Sequence, residues 1–460
     1  MRVTLVNPPW QFNNPAKLPP LGLAYLGAVL REDGRFQVTL VDLNAEVQKP
    51  QAVLAAARKR VEATEPEILG LSCTTVQAPF VIEFVRLYRK QHPDVPVVLG
   101  GIHASAAPEE MLRSCPADVV VHGEGEETLV EVLEALAADR AAALTRVKGI
   151  SFRAGTGITR TEPRPLLKDL DSLPYPAYDL LPPLPFYQPM ARKHVFSVTA
   201  SRGCIHHCAF CSGSRHWHHQ RWRTPESVAT ELRWLDSQYD LGMVRFEDDD
   251  LLTREAWSGR LLDLLEDIRV PFSCFARLDS LQELAVERLA AAGCKEVYHG
   301  LETTSPRLWE ILRKDMAKGL DLAGCSRLIA REIEAGVTPT VSAIIGIPTE
   351  TEAEMQATVD FLVGLRTKGA RTQLWLLTPY PDTDIVREFA ENLVEVDRWT
   401  KFGQFDVFSQ AARDAYGGLL ARHKRLVPDF WMFRNEAGIE KTGRLWREAR
   451  GRLMGAFDFV

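Results

Sequence analysis

Arg202-Gly203-Cys204-Ile205-His206-His207-Cys208-Ala209-Phe210-Cys211 sets three thiols at the spacing CxxxCxxC. Iron-sulfur clusters that only carry electrons are closed by four cysteines. A loop with three therefore leaves one corner of a four-iron, four-sulfur (4Fe-4S) cube open to something other than protein. A structural zinc site takes four ligands in two short pairs, and no second CxxC follows Cys211. A disulfide framework fits less well, because the chain has 8 Cys in 460 residues and opens with no secretory leader. Cys73, Cys115, Cys274, Cys294 and Cys325 read as small core residues of a reduced, cytoplasmic protein.

The loop, with the aromatic Phe210 just before its last cysteine, resembles the signature of the radical S-adenosylmethionine (radical SAM) superfamily. The resemblance implies that Cys204, Cys208 and Cys211 hold the cluster. It also implies that S-adenosylmethionine chelates the open iron and that an electron from the cluster cleaves it to a deoxyadenosyl radical.

Downstream and upstream of the loop, β-rich runs recur at Val195 to Thr199, Met243 to Phe246, Phe272 to Ala276, Glu296 to His299, Pro339 to Ile345 and Gln373 to Leu377. These six βα units match the partial TIM-type barrel of that superfamily, whose chemistry sits at the carboxyl ends of strands. At the second such end, Glu247-Asp248-Asp249-Asp250 resembles the segment that binds the methionyl ammonium, with Asp248 and Asp249 as its ligands and Asp250 as cap of the following helix. Arg277 and Glu302 resemble positions that contact the methionyl carboxylate, ribose or substrate, although an Arg-carboxylate pair across strands is the structural alternative. The Gly346 to Glu350 segment resembles the turn near the adenine, and Pro379 to Thr383 a loop facing substrate and cobalamin.

Residues 1 to 150 alternate strand and helix: Val3 to Val6, Leu21 to Arg31, Val38 to Val41, Gln51 to Glu62, Ile68 to Leu71, Val95 to Leu99 and Val119 to Val121. Such alternation predicts a doubly wound, Rossmann-like parallel sheet with its ligand beyond the carboxyl ends of the strands. Those ends carry Asn7-Pro8-Pro9, Ser72 to Thr75, Gly100-Gly101-Ile102-His103 and Gly123-Glu124-Gly125. No G-x-G-x-x-G opens the first helix, so a dinucleotide site is unsupported; the glycines either admit backbone to a bulky ligand or merely permit turns.

The order NPP, PPLGLAYL, GLS, GGIHAS and HGEGE resembles the cobalamin-binding domain of cobalamin-dependent (class B) radical SAM enzymes. The resemblance implies a cobalamin held by Asn7, Pro8, Pro9, Leu21, Gly22, Ser72, Thr74, Thr75, Gly100, Gly101, Gly123, Glu124 and Gly125. None of the 11 His lies in a D-x-H-x-x-G motif. The expectation is a displaced benzimidazole with no histidine on cobalt, the Ser72 to Thr75 loop near its lower face, and His103 as a core or helix-start residue.

Prolines 174, 176, 182, 183, 185 and 189 mark residues 151–190 as a linker, with Tyr175, Tyr178, Phe186 and Tyr187 packing it down. The radical SAM domain spans 191–400. Residues 401–460 read as mostly helical, with Ala411 to Leu426 and Lys441 to Met454 amphipathic and an aromatic knot at Phe430, Trp431 and Phe433; Tyr416 or Trp431 is expected to line the substrate cavity. His206, His207, His216, His218 and His219 form no closed metal-ligand set and read as solvent-facing or substrate-facing.

A formal charge of -6 gives no general attraction to nucleic acid, and no apolar run reaches membrane-spanning length. A transfer-RNA methylthiotransferase is disfavoured because residues 1–150 lack a second three-cysteine set. The resemblance thus implies a C-methyltransferase acting on an unactivated carbon of a small metabolite, with a 4Fe-4S cluster, S-adenosylmethionine and cobalamin as cofactors. It further implies an external electron donor such as flavodoxin or ferredoxin. A cobalamin-binding radical oxidase, cyclase or ring-rearranging enzyme, or a cobalamin carrier or sensor, are the other readings.

Overall fold

Of the 460 residues, the computed structural model describes all but 10–17, 45–52, 139, 189–191, 284, 315–319, 397–417, 420, 427–429 and 454–460. The chain divides into two compact units, Met1–Arg192 with Gln404–Pro428, and Lys193–Gly403 with Asp429–Val460.

In the first unit the apolar runs become β1 (Arg2–Asn7), β2 (Gln37–Asp42), β3 (Ile68–Ser72), β4 (Val97–Gly100) and β5 (Val119–Val121). They pair in parallel in the order β2-β1-β3-β4-β5. Strands this apolar suit a sheet covered on both faces by helices. Strand order reverses between β1 and β3, so the natural ligand crevice opens at their carboxyl ends.

The sheet continues past residue 150. β6 (Ile150–Ala154) and β7 (Gly157–Arg160) add an antiparallel hairpin, so these residues belong to the sheet and not to an extended crossing. Its two-residue turn begins at Gly155 with φ 59°, the conformation tight hairpins need. The proline-rich stretch then makes two short turns, Tyr178–Leu180 and Leu184–Phe186. Ala177 donates its N–H to the Ala24 carbonyl at 3.0 Å, and buried Tyr187 donates its hydroxyl to Asp42 at 2.9 Å. Phe186, expected to pack down, is 49% exposed, since the turn that buries Tyr187 leaves its neighbour outside.

In the second unit, β8 (His194–Val198) leads into a small ribbon of β9 (Ser201–Arg202) and β10 (Arg221–Trp222). β11 (Leu241–Phe246), β12 (Phe272–Phe275), β13 (Cys294–Glu302), β14 (Thr338–Ile345) and β15 (Arg371–Leu376) follow. β8 and β11 to β15 form one six-stranded parallel sheet in chain order, a partial barrel. The Ile439–Leu453 helix covers the β15 edge, where Trp446 donates to the Leu374 carbonyl at 3.2 Å and Thr372 to the Leu453 carbonyl at 3.0 Å.

β16 (Leu393–Glu395) pairs antiparallel with β17 (Trp431–Phe433), so the aromatic knot is a strand and not part of a helical region. Met432 and Phe433 are buried in this strand and Trp431 is partly exposed. Tyr416 and half of Ala411 to Leu426 lie outside the described residues. Among the described residues no helix is long and apolar enough to cross a membrane.

Candidate functional site

The three-cysteine loop leaves the carboxyl end of β8. Cys204, Cys208 and Cys211 are partly exposed, whereas the other five cysteines are buried. Gly203 sits at φ 89°, and a Cβ there would stand 2.5 Å from the His219 carbonyl, so only glycine closes this turn. Ala209 is held from both sides: its N–H donates to Leu312 at 2.8 Å and its carbonyl accepts from Ile385 at 2.9 Å. Ala209 and Phe210 join an apolar cluster with Leu308, Leu312, Ile347 and Phe433. Just beyond the loop, Arg215 pairs with Asp384, which also pairs with Arg313 at 2.7 Å.

Burial pushes the Cys204 thiol up to about 12 and raises those of Cys208 and Cys211, so metal must displace the protons for the thiolates to form. Among the described residues no three His, Cys, Asp or Glu side chains converge on one ion. Cys208 lies within electrostatic reach of both Cys204 and Cys211, and three thiols on one loop suit three corners of an iron-sulfur cube.

The acidic run after β11 divides by role. Asp248 is buried and accepts from the Ala200 N–H at 3.0 Å and the Ser201 hydroxyl at 2.6 Å, tying the β11 end to the base of the cysteine loop. Burial raises its carboxyl to about 7. Asp249 is exposed to solvent, yet enough protein surrounds it to raise its carboxyl, the combination expected on a cavity wall. A Cβ on Gly213 would lie 3.4 Å from Cys211 Sγ and 3.5 Å from Asp249 Oδ2, so this open carboxylate faces the thiol region. Asp250 is not the helix cap expected of it. The helix begins at Glu255 after Arg254, and Asp250 instead accepts from Ser280 at 2.9 Å, bridging to the segment after β12.

At the next strand ends, Arg277 makes two 2.8 Å bonds to Asp279, a pair within one turn and not across strands. Glu302 pairs with Lys314 at 2.9 Å. Gly346 and Ile347 donate their N–H groups to Glu350 at 2.6 and 3.0 Å; Glu350 is fully buried, which pushes its carboxyl up to about 8. Glu302, Thr349 and Asp382 each adopt φ near +65° at or just past a barrel strand's carboxyl end. Strain of this kind gathers where function over-determines the backbone. Sequence reading passed over Lys314 and the clamp on Ala209; a single lysine after a short helix carries no signal of its own.

In the first unit, Asn7 donates to Asp42 at 2.9 Å, and Gln77 reaches the Pro8 carbonyl at 2.5 Å, fixing the β1 end. Thr74 is exposed and turns back to Gln77 at 2.9 Å. Gly101 has φ 91°, and a Cβ would lie 2.8 Å from the Cys73 nitrogen. A Cβ at Gly22, Gly100 or Gly123 would meet nothing within 4 Å, so the backbone is open at these positions. Gly125 precedes the Glu126–Ala137 helix, and partly buried Leu21 opens the first one. Glu124 is already engaged, accepting from the Leu167 N–H at 2.8 Å. His103 is buried behind Gly101, its Nδ1 3.2 Å from the Thr75 hydroxyl, and burial lowers its pKa to about 4.

Residues 13–133 match the B12 binding domain and residues 198–362 the Radical SAM superfamily. An uncharacterized methyltransferase of Pyrococcus horikoshii is 31% identical over 431 residues, covering 90% of each chain. The chain belongs to the cobalamin-dependent radical SAM family. Within the family, the anaerobic magnesium-protoporphyrin IX monomethyl ester cyclase of Rubrivivax gelatinosus is 25% identical, over 99% of this chain and 81% of that one. The fold is that of the radical SAM methyltransferase TsrM of Kitasatospora setae, solved with cobalamin and a 4Fe-4S cluster: TM-score 0.69 and 20% identity over 92% of this chain and 88% of that one.

Proposed function

We propose that this chain is a C-methyltransferase that uses a 4Fe-4S cluster, S-adenosylmethionine and cobalamin to methylate an unactivated carbon of a small metabolite. The observation that carries the reading is the joining, in one chain of a family with methyltransferase-named members, of a three-thiol loop in a Radical SAM match to a B12-binding match whose strand ends are open at Gly100 and Gly123. When bound, these cofactors supply a deoxyadenosyl radical and a transferable methyl group.

Cys204, Cys208 and Cys211 hold the cluster, and the clamp on Ala209 keeps their loop in register. Asp249 accepts the methionyl ammonium, while Asp248 fixes the loop behind it. Glu350 shapes the Gly346–Ile347 turn against the adenine, and Arg277 and Glu302 stand at neighbouring strand ends. Asn7, Pro8, Pro9, Leu21, Gly22, Gly100, Gly101, Gly123 and Gly125 border cobalamin, and the Ser72 to Thr75 loop approaches its lower face. Cobalamin binding is assigned to the first 150 residues and the hairpin that extends their sheet, and the radical chemistry to residues 191–400. The enzyme works in the cytoplasm with an external low-potential electron donor such as flavodoxin or ferredoxin.

The likeness to the Rubrivivax gelatinosus cyclase favours a second reading, radical oxidation or cyclisation without methyl transfer. Comparing metabolites of cells with and without the protein separates the two. Methylation yields a product heavier by one CH2 unit; oxidation or cyclisation yields a product with hydrogen lost or rearranged.

A further inference from the structure

The pair formed by Glu302 and Lys314 is one of the few nearly dry ion pairs among the described residues, with side chains 8% and 6% exposed and a separation of 2.9 Å. Its place is set by the backbone. The Pro306–Leu312 helix ends at Arg313, whose φ of 50° reverses the chain, and the Lys314 N–H returns to the Trp309 carbonyl at 2.9 Å. This reversal sends the lysine back toward β13. Gly300 in β13 has no side chain because none fits: a Cβ there would stand 2.1 Å from Glu302 Oε1 and 2.9 Å from Lys314 Nζ.

The same helix end holds the cysteine loop, since Leu312 accepts the Ala209 N–H, one residue beyond Cys208. Lys314 thus stands two residues from the contact that fixes Cys208 in place. The ion pair therefore stands beside the loop that carries Cys208, in a setting where solvent screens little.

We propose that the Glu302–Lys314 pair sets the reduction potential of the iron-sulfur cluster held by Cys208. The inference rests on the cluster assignment above. Reduction adds one electron from a low-potential donor, taking the cluster core from 2+ to 1+ and making the whole site more negative. A buried cation stabilises that product, and a buried anion opposes it.

The test is a potentiometric titration of the full-length, anaerobically reconstituted protein without S-adenosylmethionine, following the reduced cluster by electron paramagnetic resonance. Lys314→Met should lower the reduced-to-oxidised ratio at fixed potential about tenfold, about 59 mV for one electron. Glu302→Gln should raise it, and Lys314→Arg should stay near wild type. Arg331→Met, which removes an exposed ion pair with Glu287 in the same unit, should change nothing. A general loosening of the loop would not move the two partners in opposite directions. Equal potentials in wild type and Glu302→Gln at full iron content, or shifts of one sign in Lys314→Met and Glu302→Gln, overturn the proposal even if Lys314→Met binds iron poorly. Failure of wild type to assemble any cluster would instead overturn the assignment on which it rests.

Discussion

The Ile385 N–H donates to the carbonyl of Ala209 at 2.9 Å, so the segment after the sixth barrel strand hangs from the middle of the three-cysteine loop. The loop after the first barrel strand and the segment after the last are therefore tied together at Ala209. The Arg215, Arg313 and Asp384 pairs reinforce the same junction from the surface, where such pairs add little each.

Substituting any one of Cys204, Cys208 and Cys211 with alanine should abolish cluster assembly and reductive cleavage of S-adenosylmethionine. Cys325→Ala, at a buried core position, should retain both. Iron and sulfide content together with deoxyadenosine yield check this. Full cleavage by Cys208→Ala would remove the assignment.

The two aspartates should separate. Asp249→Ala leaves a stable protein that assembles its cluster and still binds cobalamin but makes little deoxyadenosine. Asp248→Ala strips a buried partner from Ala200 and Ser201 and should cost about 2–4 kcal/mol of unfolding free energy. Denaturation of the iron-free proteins and product assays of the reconstituted ones decide it; equal stability loss in both variants would contradict the division of roles.

Glu350 carries a pH signature. Its folded pKa of about 8 lies above the usual carboxyl value, so its contribution to stability is present below the unfolded pKa and is lost as pH rises through the folded one. Glu350→Gln, which keeps an acceptor for Gly346 and Ile347, should therefore gain on wild type between pH 5.5 and 8.5, by about 2–4 kcal/mol. Paired denaturation curves at the two pH values measure it. A difference that does not change with pH would show the carboxylate to be ionised throughout.

Cobalamin in its cob(II)alamin form should show no nitrogen splitting in electron paramagnetic resonance, because His103 is turned inward to Thr75. Nitrogen triplets that vanish in His103→Ala would place a histidine on cobalt. Gly101→Ala, at φ 91° and 2.8 Å from the Cys73 backbone, should destabilise the unit by about 1–3 kcal/mol and weaken cobalamin binding.

Much of this was readable in the chain because the parallel strands are short apolar runs: all eleven strands expected in the two large sheets appear, from β1 at Arg2–Asn7 to β15 at Arg371–Leu376. The Ile150–Arg160 hairpin was missed although Gly155 and Gly157 mark its turn, because the runs beside them are short and half polar. β17 was missed because a three-residue aromatic strand has no period to read. Spacing alone located the cysteine loop. It did not tell Asp248 from Asp249, since burial is decided by Ala200 and Ser201, which are distant in sequence. Lys314 was invisible for the same reason: its partner Glu302 is chosen by the reversal at Arg313.

The methyl-transfer claim meets its most direct test in one anaerobic incubation. Reconstituted protein with cobalamin and a low-potential reductant is given S-adenosylmethionine bearing a trideuteromethyl group, together with a small-metabolite extract of cells lacking the protein. The account predicts that deoxyadenosine and S-adenosylhomocysteine form together and that one metabolite exchanges a hydrogen for the labelled methyl. Deoxyadenosine without S-adenosylhomocysteine, and with no labelled methyl in any metabolite, would contradict it and leave radical oxidation or rearrangement as the activity.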